Sequence, residues 1–298
     1  MNKLIKQAFT LIELLVVIAI IGILSGLIVV SMGGVTNKAT IAKAQVFSNS
    51  LRNSLMANIV GEWKLDGDAN DTWGSNNGST LGTTSSSDCI YGTCLSFAGG
   101  SQYVDFGTNS SLVSVFDNNK SFSYAVWFYP TSLQSNWGWV VCKAYTSHVS
   151  PHYQIELRLL STGKLQSFIY NNTGAVYLPS LFSNTISLNT WNFAVVSIDL
   201  VNNTHKLYVN GVLFGPTSGI TGTYANHASP LVLGSNRNLY TSSVYNFIGK
   251  MDEFRLYNAV VPAMKIKEQY YAELNSLLSS GQIDLKEYTE RINSIAQQ

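Results

Sequence analysis

The stretch SFSYAVWFY at residues 121–129 is apolar or aromatic at almost every position and carries no charge. Its continuous apolar character, rich in aromatic residues, predicts a β-strand. Outward from it, between Trp63 and Tyr257, lie further short runs with period-two alternation or continuous apolar character. They are EWKL, CLSFAG, QYVDF, WGWVVCK, QIELRLL, KLQSFIY, TWNFAVVSIDL, KLYV, LVLG and MDEFRLY. Turn-rich segments separate them, and Asn210-Gly211 between KLYV and VLF reads as a two-residue hairpin. About eleven strands in about 200 residues predict an antiparallel β-sandwich as one domain.

The flanks are helical. Beyond the strands, Pro262 opens AMKIKEQYYAELNSLL, which places Ile266, Tyr270, Leu274 and Leu277 on one side of a helix; Gly281 ends it, and Leu285 to Ala296 follows as a weaker helix. Before the strands, Ile41, Ala44, Phe47, Leu51, Leu55 and Ile59 recur three or four apart, one face of an amphipathic helix. Upstream of that, Phe9 to Met32 is almost unbroken apolar sequence behind a leader carrying Lys3 and Lys6. At 1.5 Å per residue this run spans about 36 Å, enough for a bilayer, and Phe9 to about Ile59 would form one helix of about 75 Å. Gly33 and Gly34 are its weak point, since glycine costs roughly 1 kcal/mol in a helix interior. A secretory signal peptide would be shorter and would give way to mature domain sequence; here the helix continues.

One carboxylate, Glu13, interrupts the apolar run. At the bilayer centre such a charge costs roughly 2.5 to 3.5 kcal/mol, which a plain anchor has no reason to carry. The residues FTLIELLVVIAIIGILSGLIVV, entered from the leader ending in Ala8, closely resemble the N-terminus of type IV pilins and pseudopilins. The resemblance implies cutting by a prepilin peptidase between Ala8 and Phe9, followed by methylation of the new terminus. Glu13 then becomes the fifth mature residue and neutralises the terminal amine of a neighbouring subunit in a homo-polymer or a filament with other pilins. Ala8 departs from the glycine most members carry there, and no proline precedes Pro130.

The order of the strand runs carries a second resemblance. WKLDGDANDTWGSNNG, CLSFAGGSQYVDFG, SFSYAVWFYP, TWNFAVVSID with HKLYVNGVLF, and FIGKMDEFRLYNAVV together resemble the concanavalin A-like jelly roll in its bacterial laminin G-like lectin form. The expected architecture is α+β: leader 1–8, pilin helix 9–60, sandwich 61–260 and a C-terminal helical segment 261–298. The expected function is a filament subunit, held in the cytoplasmic membrane before assembly, whose extracellular head binds a carbohydrate or a surface protein. A secretion-system pseudopilin, a low-copy tip subunit and an anchored lectin that never polymerises are the alternatives.

Candidate chemistry is sparse. Formal net charge is +1 and no basic run follows the leader, so a nucleic-acid footprint is missing. Cys89 and Cys94 in CIYGTC suit a small-loop disulfide formed outside the cytoplasm, the alternative being two free thiols, while Cys142 in WVVCK reads as a buried hydrophobe. Asp66, Asp68 and Asp71 fall on a Gly- and Asn-rich loop whose oxygens suit calcium, the alternative being turn caps. The laminin G resemblance implies a structural calcium held by Asp66, Asp71 and Asp252. A retaining glycosidase needs two carboxylates about 5 to 5.5 Å apart on one strand face. Glu156 stands alone in its strand and the adjacent Asp252 and Glu253 would point to opposite faces, so catalysis is not expected. Trp63, Trp127 and Trp191 read as core, whereas Trp73, Trp137, Trp139, Tyr145, Tyr177, Tyr224 and Tyr240 lie in or beside turns where a sugar-stacking platform could form.

Overall fold

A computed structural model describes residues 56–144, 153–217, 219, 222–225, 228–236 and 245–296. Ala8, Phe9, Glu13 and the helix expected upstream of residue 56 lie outside the described residues, as do Tyr145 and Tyr240. The strands begin with β1 (Ile59–Trp63), β2 (Ser79–Leu81), β3 (Thr84–Ser86), β4 (Cys94–Ala98) and β5 (Tyr103–Asp105). They continue with β6 (Ser121–Pro130), β7 (Trp137–Ala144), β8 (Tyr153–Leu160), β9 (Lys164–Tyr170) and β10 (Val176–Thr185). The last five are β11 (Asn192–Asp199), β12 (Thr204–Val209), β13 (Val212–Thr217), β14 (Leu231–Leu233) and β15 (Ile248–Tyr257), followed by helices α1 (Ala263–Ser279) and α2 (Leu285–Ala296). Among the described residues, no helix is long and apolar enough to cross a membrane.

All strand pairs are antiparallel and form two sheets. One has eight strands in the order β13-β12-β11-β6-β15-β4-β3, with β1 pairing the C-terminal half of β15 beyond the end of β4. The other has seven in the order β10-β9-β8-β7-β14-β5-β2. Between them Trp63 packs against Phe106 and Phe254 at ring-centroid distances of 4.3 and 5.4 Å, and its indole N–H donates to the Asn76 carbonyl at 2.8 Å. β1 starts at Ile59, so a residue read as the end of a helix face is instead the first of a strand. Its side chain joins the apolar layer outside the eight-stranded sheet.

That outer layer explains the unbroken apolar character of β6. Phe122, Tyr124, Val126 and Phe128 face the core between the sheets, while Ala125 and Trp127 face a second core under the helices. A strand buried on both faces has no polar face to alternate with. In the second core Trp127 stacks on Phe193 and Tyr270 at 5.1 and 5.7 Å, and Ile266, Leu274 and Leu277 of α1 and Ile295 of α2 are buried with them. Both helices therefore dock on the sheet. α1 ends as its sequence predicts: Gly281 has φ +74°, its N–H reaches the Leu278 carbonyl, and the Gln282 N–H reaches Leu277, the paired bonds of a Schellman cap.

Two backbone positions set register. At the β12–β13 hairpin Asn210 and Gly211 have φ of +52° and +79°, the paired left-handed conformations of a type I′ turn. In β15, Gly249 sits where an added Cβ would lie 2.0 Å from the Tyr129 carbonyl, so only glycine lets β15 and β6 pair there. Three residues on, the pairing with β6 slips between Asp252 and Arg255, and Glu253 takes φ +51°. This bulge overturns the expected opposite orientation of Asp252 and Glu253. The extra residue re-aims the strand, and Glu253 pairs with Arg255 on the helix-covered side.

Candidate functional site

The outer face of the seven-stranded sheet differs from the helix-covered one. Cross-strand register aligns Trp139 (β7), Arg158 (β8), Gln166 (β9) and Phe182 (β10) in one row, and Cys142, Glu156 and Phe168 in the next. Directly opposed residues share a face, so these side chains form a single surface. Trp137 and Trp139 meet edge to face at 6.0 Å, and Tyr245 lies 4.7 Å from Trp137. Tyr153 bridges Trp139 and Tyr170 at 6.4 and 5.6 Å. At the outer end of the first row Phe182 is 48% exposed, whereas Trp139, Gln166, Glu156 and Phe168 are buried.

Charge is placed within this aromatic field. The Arg158 guanidinium lies 4.4 Å from the Trp137 ring centre and 4.1 Å from that of Phe168, a double cation–π contact. Its Nε–H donates to Gln166 Oε1 at 3.2 Å, and Nη1 stands 3.6 Å from Glu156 Oε2. Glu156 is buried; Trp139 Nε1–H donates to its Oε1 at 2.6 Å and the Tyr170 hydroxyl to its Oε2 at 2.5 Å. Burial pushes its carboxyl above the ordinary range, and Arg158, Tyr170 and Trp139 hold it back. Among the described residues, the partners of Glu156 are thus a cation and two donors.

The sequence-predicted residues divide. Trp137 and Trp139 come together here. Tyr177 and Tyr224 pair elsewhere, 5.6 Å apart, beside a cleft of about 330 Å³ lined by Asn118, Asn119 and Leu200. Trp73 packs half-buried against the second core. Tyr153, Phe168, Tyr170, Phe182, Arg158 and Tyr245 were not singled out. The alternation of Glu156 with Arg158, and of Gln166 with Phe168 and Tyr170, is the signal that marks one face of adjacent strands.

Cys89 and Cys94 are bonded, with Cα atoms 5.6 Å apart, and Cys142 is free and buried. Two of the candidate calcium residues meet at this disulfide loop. Asp252 Oδ2 accepts the Ile90 and Tyr91 N–H groups at 2.8 and 3.3 Å, and Asp66 Oδ1 accepts that of Thr93 at 2.9 Å. Asp71 instead organises the turn after β1, accepting N–H groups from Glu62, Trp73 and Asn76 at 2.9 to 3.1 Å. Among the described residues no group of three His, Cys, Asp or Glu side chains is placed to hold a metal ion.

A family model described as the concanavalin A-like lectin/glucanases superfamily matches residues 98–267, more than half of the chain, and the chain belongs to that superfamily. Residues 5–29 match the prokaryotic N-terminal methylation motif, so a type IV pilin-like N-terminus is joined to a laminin G-type lectin domain. No curated protein matches the chain. Among solved structures, domain 4 of the extracellular arabinanase AbnA from Geobacillus stearothermophilus, in complex with arabinotriose, is similar. It aligns with a TM-score of 0.53 and 16% identity, over 72% of this chain and 98% of that one. The receptor-binding domain of botulinum neurotoxin mosaic serotype C/D aligns with a TM-score of 0.56 and 14% identity, over 74% of this chain and 52% of that one. Trypanosoma rangeli sialidase in complex with sialic acid gives 0.53 and 13%, over 72% of this chain and 33% of that one. The chain therefore spans about half of the toxin domain and a third of the sialidase, and at these identities the likeness is one of fold.

Proposed function

We propose that this protein is a membrane-anchored, pilin-like subunit whose lectin-type head binds a glycan on the outer face of the seven-stranded sheet without acting on it chemically. The observation that carries the reading is the row running from Trp139 through Arg158 and Gln166 to the exposed ring of Phe182, over which no helix packs among the described residues. Aromatic faces stack on the apolar side of a sugar ring, while amide and guanidinium groups satisfy its hydroxyls. Glu156, held by Arg158, Trp139 and Tyr170, serves to fix that surface. The methylation motif supports cutting before Phe9, assembly through Glu13 and display of the head outside the cytoplasm.

The test is a glycan array probed with the full-length protein in detergent, with mass spectrometry of its mature N-terminus. Binding should be weakened severalfold when Phe182, the exposed ring of the row, is replaced by Ala in a variant that still folds. Failure to bind any saccharide would reject the lectin role, and an uncut leader would reject the pilin-like one.

A further inference from the structure

The surface just described has a surplus of hydrogen-bond donors. The Trp137 indole N–H is buried and has no acceptor among the described residues. Over the ring that bears it lies the Arg158 guanidinium, which spends only its Nε–H on a hydrogen bond, to Gln166. A guanidinium carries five N–H donors in a planar fork, so the remaining four lack a hydrogen-bonded acceptor among the described residues; the contact with Glu156, at 3.6 Å, is longer than a hydrogen bond. A buried donor left unmet is costly, and such a donor beside an unsaturated cation points to an acceptor that arrives from outside.

The sign of that acceptor follows from exposure. The Arg158 side chain is 15% exposed and that of Glu156 only 1%, so what the site shows to an approaching molecule is the cation. The two oxygens of Glu156 are already occupied by Trp139 and Tyr170. The Trp137 and Phe168 rings clamp the guanidinium from two sides, fixing its plane and lowering the entropy lost when a flat two-oxygen anion meets it edge-on. We infer that the head recognises an acidic saccharide, a sugar bearing a carboxylate, with Arg158 and the Trp137 N–H as the residues that select the acid. This rests on the glycan-binding reading and names its substrate class.

The experiment uses full-length protein in detergent on an array of carboxylated saccharides, each beside its methyl ester, with sulfated saccharides as a third arm. Charged hydrogen bonds are the stronger ones, so the acid should bind about tenfold or more tighter than its ester. Arg158→Gln should erase that preference, so that acid and ester bind alike. Trp137→Phe keeps a ring under the guanidinium and removes only the N–H, and should weaken acid binding by severalfold. Thermal melting of both variants checks that they fold. Equal binding of acid and ester, or a preference that survives in Arg158→Gln, overturns the inference and leaves the lectin reading standing. Binding to sulfated saccharides as tight as to carboxylated ones overturns the carboxylate assignment, and absence of all saccharide binding removes the lectin reading itself.

Discussion

The two outer faces of the sandwich are treated differently. Over the eight-stranded sheet, α1 and α2 bury a layer in which Trp127, Phe193 and Tyr270 stack, and a buried ion cluster ties it together. Arg255 contacts Glu62 of β1 at 3.1 Å, Glu273 of α1 at 2.9 Å, and the bulge residue Glu253. Trp127 Nε1–H adds a bond to Glu273 at 2.5 Å. Over the seven-stranded sheet one arginine instead stands among rings, with one carboxylate and donors to spare. The guanidinium of the first face spends its donors on carboxylates; that of the second keeps some unspent. A buried charge matched by three carboxylates is structural, and a guanidinium with donors to spare suits a ligand.

The comparison can be broken by exchanging the fates of the two arginines. Arg255→Met leaves Glu62, Glu253 and Glu273 buried without their cation and should cost roughly 3 to 5 kcal/mol in urea unfolding. Arg158→Gln should cost about 1 kcal/mol or less, since its ion pair is partly exposed and longer. Similar losses for both would show that the seven-stranded face is structural too.

The pH dependence sharpens the same contrast. Burial, opposed by Arg255 and reinforced by Glu273 and Glu62, raises the Glu253 carboxyl from its ordinary 4.5 to about 7. The native state therefore binds the extra proton between those values. Glu253 carries no penalty below about 4.5; the penalty grows as pH rises and is complete above about 7. Unfolding of Glu253→Gln across this window should show the variant gaining on the wild type as pH rises. A constant difference would mean that Glu253 does not titrate there. The smallest effect concerns the disulfide loop, whose carboxylates already accept backbone N–H groups. Millimolar calcium should leave the melting temperature unchanged. An ion at about a hundred times its Kd would add about 2.7 kcal/mol, so a rise of several degrees would establish a site.

Legibility followed the range of the interactions. Strand runs, the Asn210-Gly211 turn and the apolar side of α1 with its Gly281 cap were readable because each depends on neighbours a few residues away. Placement of α1 and α2 over one sheet was not, because Tyr270 and Leu274 show only that the helix has an apolar side and say nothing of which sheet receives it. The bulge at Glu253 was equally hidden. Nothing local in GKMDEFRLY reveals that two acids meant to alternate will both reach the helix-covered side.

From the amino-acid sequence alone came the apolar run interrupted by Glu13, with the resemblance to type IV pilins it carries, and the strand-rich head, written in composition and period. Only the tertiary structure decided which face the two helices cover. It also decided that Trp137, Arg158 and Phe168 belong to one surface, for these lie on three different strands and are joined by β-pairing register. Register is a property of chains already side by side, which is why no reading of a single strand contains it.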